Sequence, residues 1–191
     1  MNEKIKQNIS YYFKFYEKEV FPIIIENKGV TQKLYWEHWF FTHTDSVVFR
    51  WIDFALSINE DPIPVILACA LHDTARIGDW DDIEHGKRAL PIAKDVIRHF
   101  NDILDEKDFE SICSAIGQHT VGRNAKNYIS GCTRDADRVR LSRYYWFRPE
   151  FFFTQRAKDV ASKTPREYLN FQNFCLDREM NEDREGVIYC K

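Results

Sequence analysis

The sequence lacks the segments that mark membrane, secreted and disordered proteins. No apolar run approaches the length of about 18 residues that a membrane-spanning helix needs. The first residues, Met-Asn-Glu-Lys-Ile-Lys-Gln, contain no apolar core of a signal peptide. The 5 cysteines form an odd number without a CxxC pair or zinc-finger spacing, which favours a reduced setting. We therefore predict a soluble, cytoplasmic protein.

Several motifs of nucleotide binding and hydrolysis are also missing. The sequence has no GxxxxGK[ST], no GxGxxG, no GxSxG and no HExxH. The formal net charge of −3 argues against an extended nucleic-acid surface or an acidic-membrane surface as partner. Any catalytic chemistry must therefore rest on a different set of residues.

The remaining pattern predicts helices. At 191 residues, 44% of them hydrophobic, the chain is long enough for one domain with a substantial core. Apolar residues recur at helical spacing, as in Ile5, Ile9, Tyr12 and Tyr16, and no segment alternates with period two over several strands. No repeat, low-complexity tract or composition shift divides the chain. We predict an all-α, compact single-domain bundle of about six to eight helices over residues 1–191.

One helix should run through the core and end in polar residues. Asp61 is a good N-cap, Pro62 suits the first helical position, and residues 65–71 are apolar on all sides. His72 and Asp73 follow directly. Buried polar groups need partners or a metal, and imidazole with carboxylate suits a divalent first-row ion lying off the last turn.

Partners for this pair could come from two further segments. His43 precedes a core-facing stripe, and His38 is its competitor, pointing about 140° away on one helix. Downstream, Asp135 and Asp137 are two residues apart, so a regular helix can direct only one of them to a given site. We place these aspartates in a helix from Arg134, with Thr133 as its N-cap after a break at residues 130–133.

The ordered set of motifs resembles the HD-domain superfamily of metal-dependent phosphohydrolases. The matching stretches are His43-Thr-Asp-Ser-Val47, Leu-Ala-Cys-Ala-Leu-His72-Asp73-Thr, Glu84-His85-Gly86-Lys-Arg-Ala89, Ile116-Gly-Gln-His119-Thr and Asp135-Ala-Asp137-Arg-Val, within about residues 38–145. The resemblance implies an HD-type helical bundle with the N- and C-terminal helices packing on this core. It also implies His43, His72, Asp73 and Asp137 as ligands of a divalent metal: Mn, Fe, Co, Ni or Zn, with Mg as a further option.

The number of ions depends on two more histidines. In the resembling family, a histidine after the His-Asp helix and another before the final aspartate often hold a second ion, with the motif aspartate shared. His85 and His119 fit these places, although His85 follows Asp73 by only 12 residues. Alternatively, His85 is a catalytic or phosphate-binding histidine beside a single metal, and His119 contacts substrate.

Acid–base and phosphate-binding candidates lie close to these motifs. Arg76 is one turn beyond Asp73, and arginine suits bidentate phosphate contact. Asp82 and Glu84 precede His85 and are our candidates for general acid or base. Around Asp137 a local basic run, which includes Arg134, Arg138 and Arg140, suits a phosphorylated small molecule. Such a run is more often a solvated surface, and Arg138 and Arg140 are our substrate-binding candidates.

These observations predict a metal-dependent hydrolase that cleaves a phosphoester or pyrophosphate bond of a nucleotide or small phosphorylated metabolite, with Asp73, Arg76, Asp82, Glu84 and His85 as catalytic residues. Two alternatives share the same ligands. One is a di-iron oxygenase, or another enzyme of this fold that does not act on phosphate. The other is a catalytically silent module that binds metal and nucleotide. Oligomeric state does not follow from the sequence.

Overall fold

The computed structural model describes residues 3–27, 39–77, 82–120, 125–141 and 152–162, with the backbone alone for residues 3–6, 39–43, 45–46, 140 and 141. The elements are α1 (Glu3–Phe15), a π-helical turn (Tyr16–Val20), α2 (Phe21–Glu26), α3 (Trp39–Ser57), α4 (Pro62–Leu71), α5 (His85–Ile97), a 3₁₀ turn (Arg98–Phe100), α6 (Glu106–Gln118), α7 (Tyr128–Leu141) and α8 (Gln155–Ala161). No strand occurs in the described ranges, and the predicted all-α fold is confirmed. That one domain spans residues 1–191 stays a prediction.

The predicted core helix, α4, is the centre of the bundle. Asp61 caps it by accepting a hydrogen bond from the Ile63 N–H at 3.0 Å, and Pro62 occupies the first turn. Residues 65–71 are buried on every side. The helix packs against α3, α6 and α7, with a smaller contact to α5. Because α4 is enclosed, the residues at its C-terminal end lie inside the protein.

The N-terminal helices cover one side of this core. Ile9, Phe13 and Tyr16 are buried along α1 and the π turn, and the buried face continues through Val20 and Ile24. Helix α1 packs against α3. The predicted apolar face is confirmed for Ile9 and Tyr16, and Tyr12 is partly buried against the core, with Phe13 buried beside it. The side chain of Ile5 lies outside the described residues.

The predicted break at residues 130–133 is wrong. Helix α7 starts at Tyr128 and runs through Ser130, Gly131 and Thr133. Its start is set earlier, because the side chain of Asn127 accepts a hydrogen bond from the Ser130 N–H at 2.8 Å. The Thr133 hydroxyl donates to the Ile129 carbonyl within the helix, so Thr133 is not an N-cap.

Helix α8 is fastened to α7 at two points. Gly131 lies against the Phe153 ring, which would be 2.3 Å from a Cβ at this position. One turn later, the buried Asp135 accepts hydrogen bonds from the Phe153 N–H at 2.7 Å, the Thr154 N–H at 2.7 Å and the Thr154 hydroxyl at 2.8 Å. Through these contacts, one face of α7 packs against the start of α8. The face of α7 that carries Asp137 points away from these contacts.

Candidate metal centre

Three histidines and one aspartate come together where three helices begin or end. His72 and Asp73 follow the last residue of α4, His85 is the first residue of α5, and His119 follows the last residue of α6. All four side chains are buried, with 1%, 9%, 5% and 8% of the residue exposed, respectively. The Thr120 hydroxyl donates to the Ile83 carbonyl at 2.8 Å, which holds the end of α6 against the start of α5.

The three imidazoles share one hydrogen-bond pattern. Nδ1 of His72 donates to the Cys69 carbonyl at 2.6 Å, and Nδ1 of His119 donates to the Ile116 carbonyl at 2.7 Å. His85 makes the equivalent bond to the Asp82 carbonyl. A carbonyl oxygen only accepts, so each Nδ1 carries the proton and each neutral ring keeps a lone pair on Nε2. This is the tautomer of a metal-ligating histidine whose other nitrogen is held by the protein.

The Nε2 atoms converge on the carboxylate of Asp73. Its Oδ1 lies 2.9 Å from Nε2 of His85 and 3.6 Å from Nε2 of His119. Its Oδ2 lies 3.4 Å from Nε2 of His72 and 3.0 Å from the Arg76 guanidinium. Both oxygens therefore lie near imidazole nitrogens, an arrangement that suits a carboxylate shared between two cations.

A cation fits between these donors. Nε2 of His85 and Nε2 of His119 are only 2.8 Å apart, and two lone pairs at that distance repel unless a proton or a metal lies between them. The donor atoms of His72, Asp73 and His119 all lie within 4.8 Å of one another. Buried imidazole nitrogen with carboxylate oxygen is a donor set for a divalent transition metal. The residues present thus suit metal binding at this position.

Burial and charge act on the histidines in opposite directions. Burial lowers the pKa of His72, and it outweighs the neighbouring charge of Asp73, so this ring stays neutral and able to ligate. Burial also acts to lower the pKa of His119, but the hydrogen bond and charge of Asp73 outweigh it and raise the pKa above 6.5. The Asp73 carboxylate therefore favours positive charge beside His119, which a metal ion would supply.

The structure separates the two candidate aspartates of α7. Both oxygens of Asp135 are occupied by the start of α8. The negative charge of Asp137 acts on both His72 and His119. Asp137 is therefore the aspartate of the two whose charge reaches both histidines, and Asp135 holds α8 in place.

Conservative substitutions at these two positions should affect different properties, stability at Asp135 and metal affinity at Asp137. Asp135→Asn should lower the free energy of unfolding by about 2 kcal/mol, because an amide cannot accept all three buried hydrogen bonds, while bound metal remains. Asp137→Asn should change stability less and reduce metal affinity by about tenfold or more. Urea unfolding and elemental analysis of the purified variants measure the two effects. Metal lost equally from both variants would contradict this assignment.

The structure describes the remaining predicted site residues to different extents. The backbone of His43 belongs to α3 and that of Arg140 to α7, and their side chains lie outside the described residues, as does all of His38. Arg138 is partly buried and acts electrostatically on Asp135 and Arg134. Glu84 is about half exposed and pairs with Lys87 at 2.8 Å. Its carboxylate points toward solvent and Lys87.

Asp82 closes a loop beside the centre. It accepts hydrogen bonds from the Ile77 N–H at 2.8 Å and from the Arg88 guanidinium, which also donates to the Ala75 carbonyl at 3.2 Å. Burial acts to raise the pKa of Asp82, but the Arg88 and Ile77 hydrogen bonds outweigh it and lower the pKa. Asp82 is therefore held as a carboxylate whose oxygens are engaged by Arg88 and the Ile77 N–H.

Some contributing residues were missed at the sequence level. Arg88 links Asp82 to the Ala75 carbonyl, four residues after the end of α4. The ring of Trp51 lies 6.2 Å from the ring of His72. Gly86 allows α5 to approach α6 beside His119. Arg88 lies three residues after His85, a spacing that could have indicated it, whereas Trp51 and Gly86 depend on packing between helices.

The fold is similar to that of a known structure. A crystal structure of a predicted HD superfamily hydrolase from an uncultured Thermotogales bacterium superposes with a TM-score of 0.60 at 20% sequence identity, covering 86% of this chain and 93% of that one. No protein-family model and no curated protein matches the sequence. At this identity the likeness concerns the fold, and the HD-type helical fold implied by the sequence motifs is confirmed.

None of the helices in the described ranges is both long enough and apolar enough to span a bilayer.

Proposed function

We propose that this protein is a metal-dependent hydrolase of the HD type that cleaves a phosphoester or pyrophosphate bond in a nucleotide or a small phosphorylated metabolite. The observation that carries the proposal is the convergence of three Nδ1-protonated histidines on the two oxygens of Asp73. Buried donors in this arrangement are suited to binding a cation and are costly without one.

Two groups of residues would hold metal. His43, His72, Asp73 and Asp137 form the first ligand set that we propose, and His85 and His119 form a second set that shares Asp73. A bound divalent metal supplies a water of lowered pKa and a Lewis acid for attack at phosphorus. The contacts of Asp73, with Oδ1 toward His85 and His119 and Oδ2 toward His72, are compatible with two ions.

The side chains around the centre would bind and orient the substrate. Arg76 is 31% exposed at its side chain and touches Asp73 at 3.0 Å. Its planar guanidinium has five donors, so it can hold a phosphate while it contacts the carboxylate. We propose Arg138 and Arg140 on α7 as further phosphate contacts. For acid–base chemistry, Asp82 and Glu84 are our candidates for general acid or base, because they lie close to His85 in the sequence.

Elemental analysis combined with a phosphate-release screen tests this function. We expect the purified protein to contain stoichiometric divalent metal and to release phosphate from members of a nucleotide and sugar-phosphate panel in Mn²⁺, Co²⁺, Ni²⁺, Fe²⁺, Zn²⁺ or Mg²⁺. His72→Ala should abolish both properties. A paired-iron signal with oxygen uptake and no phosphate release would instead identify an oxygenase. Tight binding of metal and nucleotide without any product would identify a regulatory module.

A further inference from the structure

One arginine of α7 is buried, and no counter-ion for it lies among the residues that the structure describes. Arg134 on α7 is 5% exposed, and its NH1 atom has no hydrogen-bond partner among the described residues. An arginine of ordinary surface type in the same protein, Arg98, is 63% exposed at its side chain and pairs with Asp95 at 3.1 Å. A guanidinium cannot lose its charge in a protein, so burial without an anion is costly.

Within the described residues, the acidic residue next to Arg134 does not supply an anion. Asp135, next to it in sequence, uses both oxygens to hold Phe153 and Thr154. Burial lowers the pKa of Arg134, and the positive charge of Arg138 one turn later lowers it further. The buried charge of Arg134 would therefore be stabilised by an anion.

Arg134 is connected to the metal centre through its spacing from Asp137 on α7. Arg134 and Asp137 are three residues apart on α7, and such residues are neighbours on a helix surface, with Cβ atoms about 5–6 Å apart. The charge of Asp137 acts on His72 and His119. A molecule with one phosphate at the histidines could thus extend a second anionic group to Arg134.

We propose that Arg134, with Arg138 beside it, binds the second phosphate of a substrate that contains a diphosphate, next to the phosphate held at the His–Asp centre. This subsite rests on the proposed hydrolase function and narrows its substrate class from phosphoesters in general to phosphoanhydrides. Arginine suits the role because its planar fork matches two phosphate oxygens at once.

Binding of two non-hydrolysable probes tests the subsite without turnover. Calorimetry on Mn²⁺-loaded protein compares methylenediphosphonate, which has two phosphonates, with methylphosphonate, which has one. Arg134→Met should weaken methylenediphosphonate binding by about tenfold or more, and it should weaken methylphosphonate binding by much less. Arg134→Lys should give an intermediate loss, because it keeps the charge without the fork. Arg98→Met is the matched control and should bind both probes as the wild type does.

Thermal unfolding without ligand shows whether the Arg134→Met substitution changes the stability of the protein as well as its affinity for the probes. Arg134→Met removes a buried charge and replaces it with an apolar chain, so the melting temperature should stay the same or rise. A fall in melting temperature with unchanged probe affinity would assign Arg134 a structural role and overturn the proposal. Arg134-dependent binding of inorganic phosphate or sulfate to metal-free protein, as tight as that of the diphosphonate, would also overturn it.

Failure of the diphosphate subsite can be distinguished from failure of the proposed hydrolase function. If the phosphate-release screen finds no substrate but the diphosphonate still binds through Arg134, the hydrolase proposal fails and the anion site stands. If the protein hydrolyses phosphate monoesters and Arg134→Met leaves the preference between mono- and diphosphate substrates unchanged, the hydrolase stands and the subsite fails. Elemental analysis after each titration verifies that the diphosphonate has not removed the metal.

Discussion

Asp73→Asn should remove most of the bound metal and reduce phosphate release by more than about a hundredfold. Loss of a residue that merely orients a metal ligand typically costs 10–100-fold, and Asp73 is itself the point on which the ligands converge. An asparagine keeps one oxygen and replaces the other with an NH₂ group. In one orientation this NH₂ faces the Arg76 donor at the Oδ2 position, and in the other it replaces the oxygen that lies 2.9 Å from His85. Neither orientation reproduces a carboxylate shared between two pairs of neighbours.

Elemental analysis of the purified variant measures metal content independently of the substrate, and the release assay follows. Asp95→Asn is the matched control, because Asp95 is 63% exposed at its side chain and pairs only with Arg98 among the described residues. That substitution should leave both properties unchanged. Stoichiometric metal in purified Asp73→Asn would contradict the central role of Asp73.

The parts of the fold that were predictable are those that local sequence determines. Helix α4 combines an N-cap, a proline in the first turn and an unbroken apolar stretch, and it formed as predicted with His72 and Asp73 at its end. Helix α6 starts in the same way, because the side chain of its N-cap Asp105 accepts a hydrogen bond from the Asp108 N–H at 2.8 Å. Such signals act within one helical turn, so they can be read without knowing the tertiary structure.

Helix geometry alone could not choose between Asp135 and Asp137, and only the resemblance to the HD-domain superfamily indicated Asp137. The two carboxylates have similar local surroundings on one helix, and what separates them is the docking of Phe153 and Thr154 some 18 residues later. Arg134 shows the same limitation. Its place in a basic run predicts a solvated side chain, whereas the packing of α7 buries it. In both cases, the surroundings of the side chain depend on tertiary packing and not on the neighbouring sequence.

The pairing of His85 with His119 also depends on distant contacts, and these centre on Gly86. A Cβ at this position would lie 2.4 Å from the Ile116 carbonyl oxygen and 2.9 Å from Nδ1 of His119. The same carbonyl accepts the hydrogen bond that fixes the His119 ring. The absence of a side chain at residue 86 therefore permits the close approach of α5 and α6 on which the second half of the ligand set depends.

Gly86→Ala should lower the free energy of unfolding by about 2–3 kcal/mol, because the clash is with backbone and the two helices must move apart. Displacing the Ile116 carbonyl should also disturb the orientation of His119 and lower metal affinity by about 10–100-fold. Urea unfolding and metal titration of the purified variant measure the two effects, and His72 should still hold metal where His119 no longer does.

Gly117→Ala is the matched control for this substitution. Its nearest neighbour would be Cδ1 of Leu90 at 3.3 Å, the end of a flexible side chain that can move by a few tenths of an ångström. Because alanine is a better helix former than glycine, this variant should be unchanged or more stable by up to about 1 kcal/mol, with normal metal affinity. If Gly86→Ala behaved like Gly117→Ala in both measurements, close packing at Gly86 would not be what positions His119, and the pairing of His85 and His119 would have to depend on other contacts between α5 and α6.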